Sequence, residues 1–243
     1  MYKISIKNYL ERHGFEALRP KAVLFDMDGV LYNSMPNHAI AWQESMAQFG
    51  IHMTAADAYA TEGARGVDTI KKMVLEQQGR EIDEAEAQRM YDVKTQIFHS
   101  LPEPPVMEGM HALMERLTSD GLTCCVVTGS GQRPLIHRIL SDFGAYVDEQ
   151  HITTAYDVSR GKPAPDPYLM GLRKAGNLRP CEALVMENAP LGVRAGVAAR
   201  IFTIAVNTGP LPDQTLLDAG ADLLFPSVAA FLKDYSALLL PSR

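Results

Sequence analysis

The sequence predicts an α/β protein: a doubly wound, Rossmann-like parallel sheet carrying an inserted helical cap domain. Two observations carry that prediction. From residue 21 onward, short apolar or β-branched runs alternate with longer helical segments, the pattern of a parallel sheet covered by helices. Nearly a hundred residues then separate the first strand-like run from the second, far more than one crossover uses.

Taken in order, the start MYKISIKNYLERHGF mixes charges among its apolar residues and lacks the apolar core and cleavage site of a secretory signal. The first strand is expected over 21–25, with others over 122–127, 183–186 and 201–206. The intervening segment reads as helical, because Ala39, Trp42, Met46 and Phe49 recur at spacings of three and four, as do Met90, Val93, Ile97 and Leu101. Asp83, Glu84, Glu86 and Arg89 then form a solvated face. LPEPPVMEG, residues 101–109, concentrates three prolines and reads as the linker back to the sheet. The insertion therefore spans 36–104, with 1–35 and 105–243 forming the core.

Composition narrows the function. With 243 residues, 47% of them hydrophobic, the chain can bury one good-sized core. Its formal net charge is -6 and its lysines and arginines are scattered, so nucleic acid is not expected as a partner. No stretch approaches 18 apolar residues, which removes a membrane span. Cys124, Cys125 and Cys181 have no CxxC spacing, and two lie in an apolar run. They read as reduced, structural thiols of a cytoplasmic protein, a monomer or weak dimer.

Ligands of open parallel sheets bind beyond the carboxyl ends of the strands, so each strand is read at its end. The first ends in Asp26-Met27-Asp28-Gly29, the second in Thr128-Gly129-Ser130, the third in Glu187-Asn188, and Lys162 precedes a proline-rich turn and a helix. Carboxylates converging in one crevice repel strongly unless a cation sits among them. Oxygen donors without His or Cys suit a hard ion, Mg²⁺. A lysine, a hydroxyl and backbone N–H groups can hold a tetrahedral anion. Acids, metal and anion cradle together read as phosphoryl transfer on a small phosphorylated substrate.

DMDGVLYNS, VVTGS, GKPAPDPY and VMENAPLGVRAG resemble, in order, the four motifs of the haloacid dehalogenase (HAD) superfamily, over roughly residues 21–225. His38 and Trp42, 12 and 16 residues after Asp26, resemble its β-phosphoglucomutase-like subgroup, which carries a helical cap where the insertion lies. The resemblance implies that Asp26 is the nucleophile taking up the phosphoryl group. It makes Asp28 the general acid and then base, its backbone carbonyl also binding Mg²⁺. Thr128, Gly129 and Lys162 would hold the phosphoryl oxygens, with Ser130 on the substrate side. Glu187 and Asn188 would complete the metal site with Asp26 and Asp28, directly or through water, and Lys94 matches a cap lysine of the subgroup. Aspartate at position 28 also sets the chain apart from the family's metal-free dehalogenases, which lack it.

Where many relatives have Glu-Asp, this chain has Glu187-Asn188, which removes a negative charge and should weaken the hold on Mg²⁺. Mutases of the subgroup usually show Lys-Gly-x-x-Arg on the cap. TEGARG instead puts Glu62 and Gly66 at the lysine and arginine positions, and Gly131 stands where mutases usually carry a lysine. Arg65 and Arg133 are displaced substitutes for gripping a second phosphate. An acidic Glu62 would repel a bare sugar phosphate and could hold a substrate-bound metal. The expected activity is thus Mg²⁺-dependent hydrolysis of a small phosphorylated metabolite or inorganic pyrophosphate, with β-phosphoglucomutase as the alternative.

Plainer roles stand beside these. An isolated Asp-x-Asp-Gly is more often a turn, Lys162 and Lys94 could be solvated charges, and His38 could be packed core. Glu187-Asn188 could cap the helix near Pro190. The run LTCCVVTGSGQ with Asp148 nineteen residues after Gly129 could also be a dinucleotide-binding fingerprint, though Pro134 replaces its third glycine and the acids at 26 and 28 go unexplained.

Overall fold

A computed structural model describes residues 2–130 and 133–239, except the side chains of Arg133 and 237–239. Six parallel strands form one sheet in the order β3-β2-β1-β4-β5-β6. They are β1 (Ala22–Phe25), β2 (Thr123–Val127), β3 (Ile152–Thr153), β4 (Ala183–Glu187), β5 (Phe202–Val206) and β6 (Leu223–Phe225). The chain leaves β1 toward β2 and β3 on one side and toward β4, β5 and β6 on the other. The carboxyl end of β1 is therefore the topological switch point where a crevice must open.

The strands are buried on both faces, as a parallel sheet between helix layers requires. Their side chains alternate accordingly. Val23, Phe25, Val126, Met186 and Ile204 join one apolar cluster, while Ala22, Leu24, Val127 and Val185 join another. The first cluster packs under helices α6 (Met110–Ser119), α7 (Arg133–Phe143) and α11 (Val228–Leu239), the second under α8 (Asp166–Lys174) and α9 (Pro190–Ala198), and α10 (Asp213–Asp218) covers the β5 side through Leu216. Cys124, Cys125 and Cys181 are buried free thiols, and burial pushes the first two up to about 12.

The four expected strands are present with ends shifted by a residue. Two further strands, β3 and β6, were not expected. They have two and three residues, too few to show a period, and neighbouring strands define them by pairing. The N-terminal segment is helix α1 (Tyr2–His13), whose fully buried Tyr9 donates its hydroxyl to the Arg200 carbonyl at 2.9 Å and meets Phe202 edge-on.

Between β1 and β2 lie α2 (Met35–Gln48), α3 (Ala55–Ala60), α4 (Gly66–Gln78) and α5 (Glu84–Ser100). Trp42, Met46, Ile70, Met73, Val74 and Met90 form an apolar cluster of their own, so these helices pack mainly on one another. Phe49 departs from expectation: it is the C-cap of α2 and 36% exposed, past the last helical turn. The two connections to the sheet are stitched together by Asn33 N–H to Pro105 O at 2.9 Å and Met107 N–H to Leu31 O at 2.8 Å. Among the described residues no helix is long and apolar enough to cross a membrane.

Candidate active site

Strand register brings the acids together. Phe25 pairs with Val126 on one side and Met186 on the other, so Asp26, the next residue, is level with Val127 and Glu187. Lys162 closes the gap. Its Nζ donates to Asp26 Oδ1 at 2.5 Å, to Glu187 Oε1 at 2.6 Å and to the Val127 carbonyl at 3.3 Å. All three side chains are buried. Burial, then Glu187 and Asp28, push the Asp26 carboxyl well above its usual range against the opposing pull of Lys162. Burial also pulls the lysine down, but Asp26 and Glu187 outweigh it and hold its pKa above the ordinary value.

Asp28 sits across a tight turn in which Gly29 has φ +83 and its carbonyl accepts the Thr208 hydroxyl at 2.7 Å. A Cβ at Gly29 would lie 2.0 Å from Asn188 Nδ2, so glycine is required for the turn to meet the end of β4. Asp28 Oδ1 accepts the Ser34 hydroxyl at 2.6 Å and lies 3.2 Å from His38 Nε2, while His38 Nδ1 lies 2.7 Å from Lys94 Nζ. An ammonium only donates, so a charged Lys94 fixes the imidazole with Nδ1 accepting and Nε2–H directed at Asp28. Burial pushes the Asp28 carboxyl up, but His38, Ser34 and Lys94 outweigh it and hold it at about 2.

Lys94 is not a solvated charge. It is 4% exposed and its Nζ stands 5.1, 5.3 and 5.7 Å from the ring centroids of Phe98, Trp42 and Tyr91. Burial draws its pKa down to about 8, against the pull of Glu62 and Asp28. Glu62 lines the same cleft, and burial pushes its carboxyl up while His38 and Lys94 oppose. The cleft, about 810 Å³ with its open mouth included, runs from Asp26 and Asp28 past Gly129 and Ser130 to Glu62, Tyr91 and Lys94.

Thr128 directly follows β2, is buried, and accepts the Ser130 N–H on its hydroxyl oxygen at 3.0 Å. The loop carrying Glu62 lies directly over this cradle: a Cβ at Gly63 would be 3.3 Å from Lys162 Cδ, and one at Gly129 would be 3.8 Å from Gly63 O.

Three residues have places or partners that the sequence did not show. Arg65 lines not this cleft but an adjoining pocket, which shares Gly63, Ala64 and Gly129 with it and reaches Thr128 and Lys162. Its guanidinium is mostly exposed and pairs with Glu84 at 2.7 Å, which also makes Glu84 a partner rather than a purely solvated charge. Glu187 keeps no oxygen for the cleft. Oε1 accepts from Lys162 and from the Tyr168 hydroxyl at 2.7 Å, and Oε2 accepts the N–H groups of Asn188 at 3.0 Å and Ala189 at 3.2 Å, partly the capping role. Asp148 is exposed, precedes β3 and is not at a strand end, so the dinucleotide fingerprint fails. Gly131 and the Arg133 side chain lie outside the described residues.

Ser34, Tyr168 and Tyr91 went unassigned in the sequence. Ser34 and Tyr168 lie inside quoted motifs, whereas Tyr91 gave no signal: a Cβ at Gly66 would come within 2.0 Å of its ring. The ring therefore fills the volume next to the position where mutases have arginine.

For a metal, the test is the donor set. Among the described residues no group of three or more His, Cys, Asp or Glu side chains is poised to hold an ion. Asn188 Oδ1, however, is buried without a hydrogen-bond partner and sits beside the Asp28-Gly29 turn. With an Asp26 oxygen and the Asp28 carbonyl, this is an all-oxygen set that fits a hard cation.

A doubly wound sheet whose central strand ends in an acid pair, served by a buried lysine, defines a carboxylate-centred α/β enzyme. A family model described as haloacid dehalogenase-like hydrolase matches residues 20–200; the chain belongs to that family and is an enzyme of the hydrolase or phosphotransferase type. Hexitol phosphatase A of Escherichia coli is 32% identical over 190 residues, covering 78% of this chain and 84% of its own. Beta-phosphoglucomutase of Bacillus subtilis is 29% identical, covering 84% and 88%. A solved structure from Bacteroides vulgatus, described provisionally as a beta-phosphoglucomutase, is 48% identical with TM-score 0.92, covering 98% and 96%.

Proposed function

We propose that the chain is a Mg²⁺-dependent phosphohydrolase that works through phospho-Asp26 on a small phosphorylated metabolite or inorganic pyrophosphate, with residues 36–104 acting as its cap and 1–35 and 105–243 as its core. One observation carries the choice of hydrolysis over mutase action. The cap wall of the cleft presents Glu62 and Tyr91 beside Lys94, while Arg65 lies in the adjoining pocket and is paired with Glu84. A mutase must grip a second phosphate while the first transfers; here Arg65 is paired with Glu84, Lys94 is held by His38, and Glu62 opposes a second anion.

Asp26 attacks phosphorus, forming its O–P bond as the bond to the leaving oxygen breaks, and Lys162 and Thr128 stabilise the equatorial oxygens. Asp28 gives the leaving oxygen a proton. Held at about 2, the carboxyl is ionised in the free protein and takes up that proton from solvent water as the anionic phosphoryl group arrives beside it and favours its neutral form. In the second step ionised Asp28 accepts a proton from water as the water oxygen bonds to phosphorus and Asp26 leaves. His38 and Ser34 aim the carboxyl throughout. Mg²⁺ held by Asp26, the Asp28 carbonyl and Asn188 Oδ1 would offset the negative charge gathered there. The family's phosphatases and mutases are generally metal-dependent.

The mutase reading is favoured by the description of the Bacteroides vulgatus structure. The two separate in one assay: phosphate release with and without Mg²⁺ from β-glucose 1-phosphate, other sugar phosphates and pyrophosphate, with glucose 6-phosphate read alongside. Fast Mg²⁺-dependent release is expected. Glucose 6-phosphate without net release would overturn hydrolysis.

A further inference from the structure

The carboxylate of Glu187 is 0% exposed and engaged on every side. Two backbone N–H groups at the start of α9 take Oε2, and Lys162 and Tyr168 take Oε1. A carboxylate offers about four lone-pair directions, and all are used within the protein. The seat is shaped for it, since a Cβ at Gly192 would lie 1.7 Å from Oε1. Tyr168 is fully buried in turn, with its ring 5.2 Å from Lys162 Nζ. Asn188 Oδ1, one residue on, is the buried acceptor left without a partner.

We propose that Tyr168 and Glu187 are positioning residues for Lys162: the phenol and two backbone amides pin the carboxylate, the carboxylate pins the lysine against Asp26, and metal binding at the end of β4 falls to Asn188 alone. Glu187 thus serves the lysine that grips the transferring group. The inference rests on the phosphohydrolase reading for its kinetic arm only.

Tyr168→Phe keeps the ring and removes one oxygen. Losing a hydrogen bond to a charged group should lower kcat about tenfold and weaken competitive inhibition by inorganic phosphate by a similar factor, in a variant that stays folded. Magnesium alone, titrated calorimetrically without substrate, should bind Tyr168→Phe and Glu187→Gln within about threefold of wild type, whereas Asn188→Ala should lose more than about tenfold. A loss in Glu187→Gln as large as that in Asn188→Ala would make Glu187 a metal ligand and overturn the proposal. So would unchanged kcat and phosphate inhibition in Tyr168→Phe, which stands in if Glu187→Gln does not fold. Asp26→Asn run beside them separates the two claims: turnover in it defeats the phosphohydrolase reading, while the calorimetry needs no turnover.

Discussion

Replacing Lys94 by methionine should leave the protein about as stable and make it much less active. The side chain is 4% exposed within an aromatic box, and its pKa is drawn from 10.5 to about 8 by burial, against Glu62 and Asp28. Keeping it charged at neutral pH therefore costs the fold about 3 kcal/mol. Methionine has similar length and pays no such desolvation, but loses the cation–π contacts, worth about 0.5–2 kcal/mol, and the hydrogen bond to His38, which together roughly offset the gain. Melting temperature at pH 7 should change little. The sign also appears in pH dependence. The unfolded chain keeps the lysine proton up to about 10.5 while the folded protein releases it near 8, so wild-type stability should gain on Lys94→Met as pH rises through that window. Activity moves the other way. His38 Nδ1 loses its donor at 2.7 Å, Nε2–H is no longer fixed toward Asp28, and kcat/KM should fall roughly 10- to 100-fold for a charge-assisted hydrogen bond of about 1.5–3 kcal/mol. Activity within twofold of wild type, or a marked fall in melting temperature, would refute this reasoning.

Other expected outcomes follow from the same geometry. Gly192→Ala forces the Glu187 carboxylate out of its seat, so chemical denaturation should show a loss of roughly 1–3 kcal/mol together with reduced kcat. Glu62→Ala should change relative rates across substrates more than Mg²⁺ affinity; unchanged relative rates would remove the acidic cap wall as a selector. Asn188→Asp restores a negative charge beside the Asp28-Gly29 turn and should tighten Mg²⁺ binding in calorimetry, and equal affinity would show that charge at this position is immaterial.

The acid pair, the lysine and the strand-end hydroxyl were legible because a parallel sheet concentrates its chemistry at strand ends, where polar residues interrupt apolar runs. Asp26, Asp28 and Thr128 stand out as such breaks, Lys162 through its place in the Gly-Lys-Pro turn, and register alone brings Asp26 level with Glu187. What the sequence hid depends on partners far along the chain. Arg65 stands two residues from Gly63, yet the start of α4 turns it to Glu84. Glu187 reads as a ligand until Tyr168, nineteen residues earlier, is seen bonded to it. The burial of Lys94 comes from three rings on two helices, and its own neighbours in sequence are as polar as those of any surface lysine. Strands β3 and β6 are short enough that only pairing defines them.

The central claim is covalent phosphorylation of Asp26. The most direct measurement is an acid-quenched, single-turnover reaction with a phosphate-labelled substrate, followed by peptide mapping of the label. The account predicts label on Asp26 in the wild type, and a folded Asp26→Asn variant with neither label nor turnover. Label on another residue, or turnover in Asp26→Asn near the wild-type rate, would contradict it.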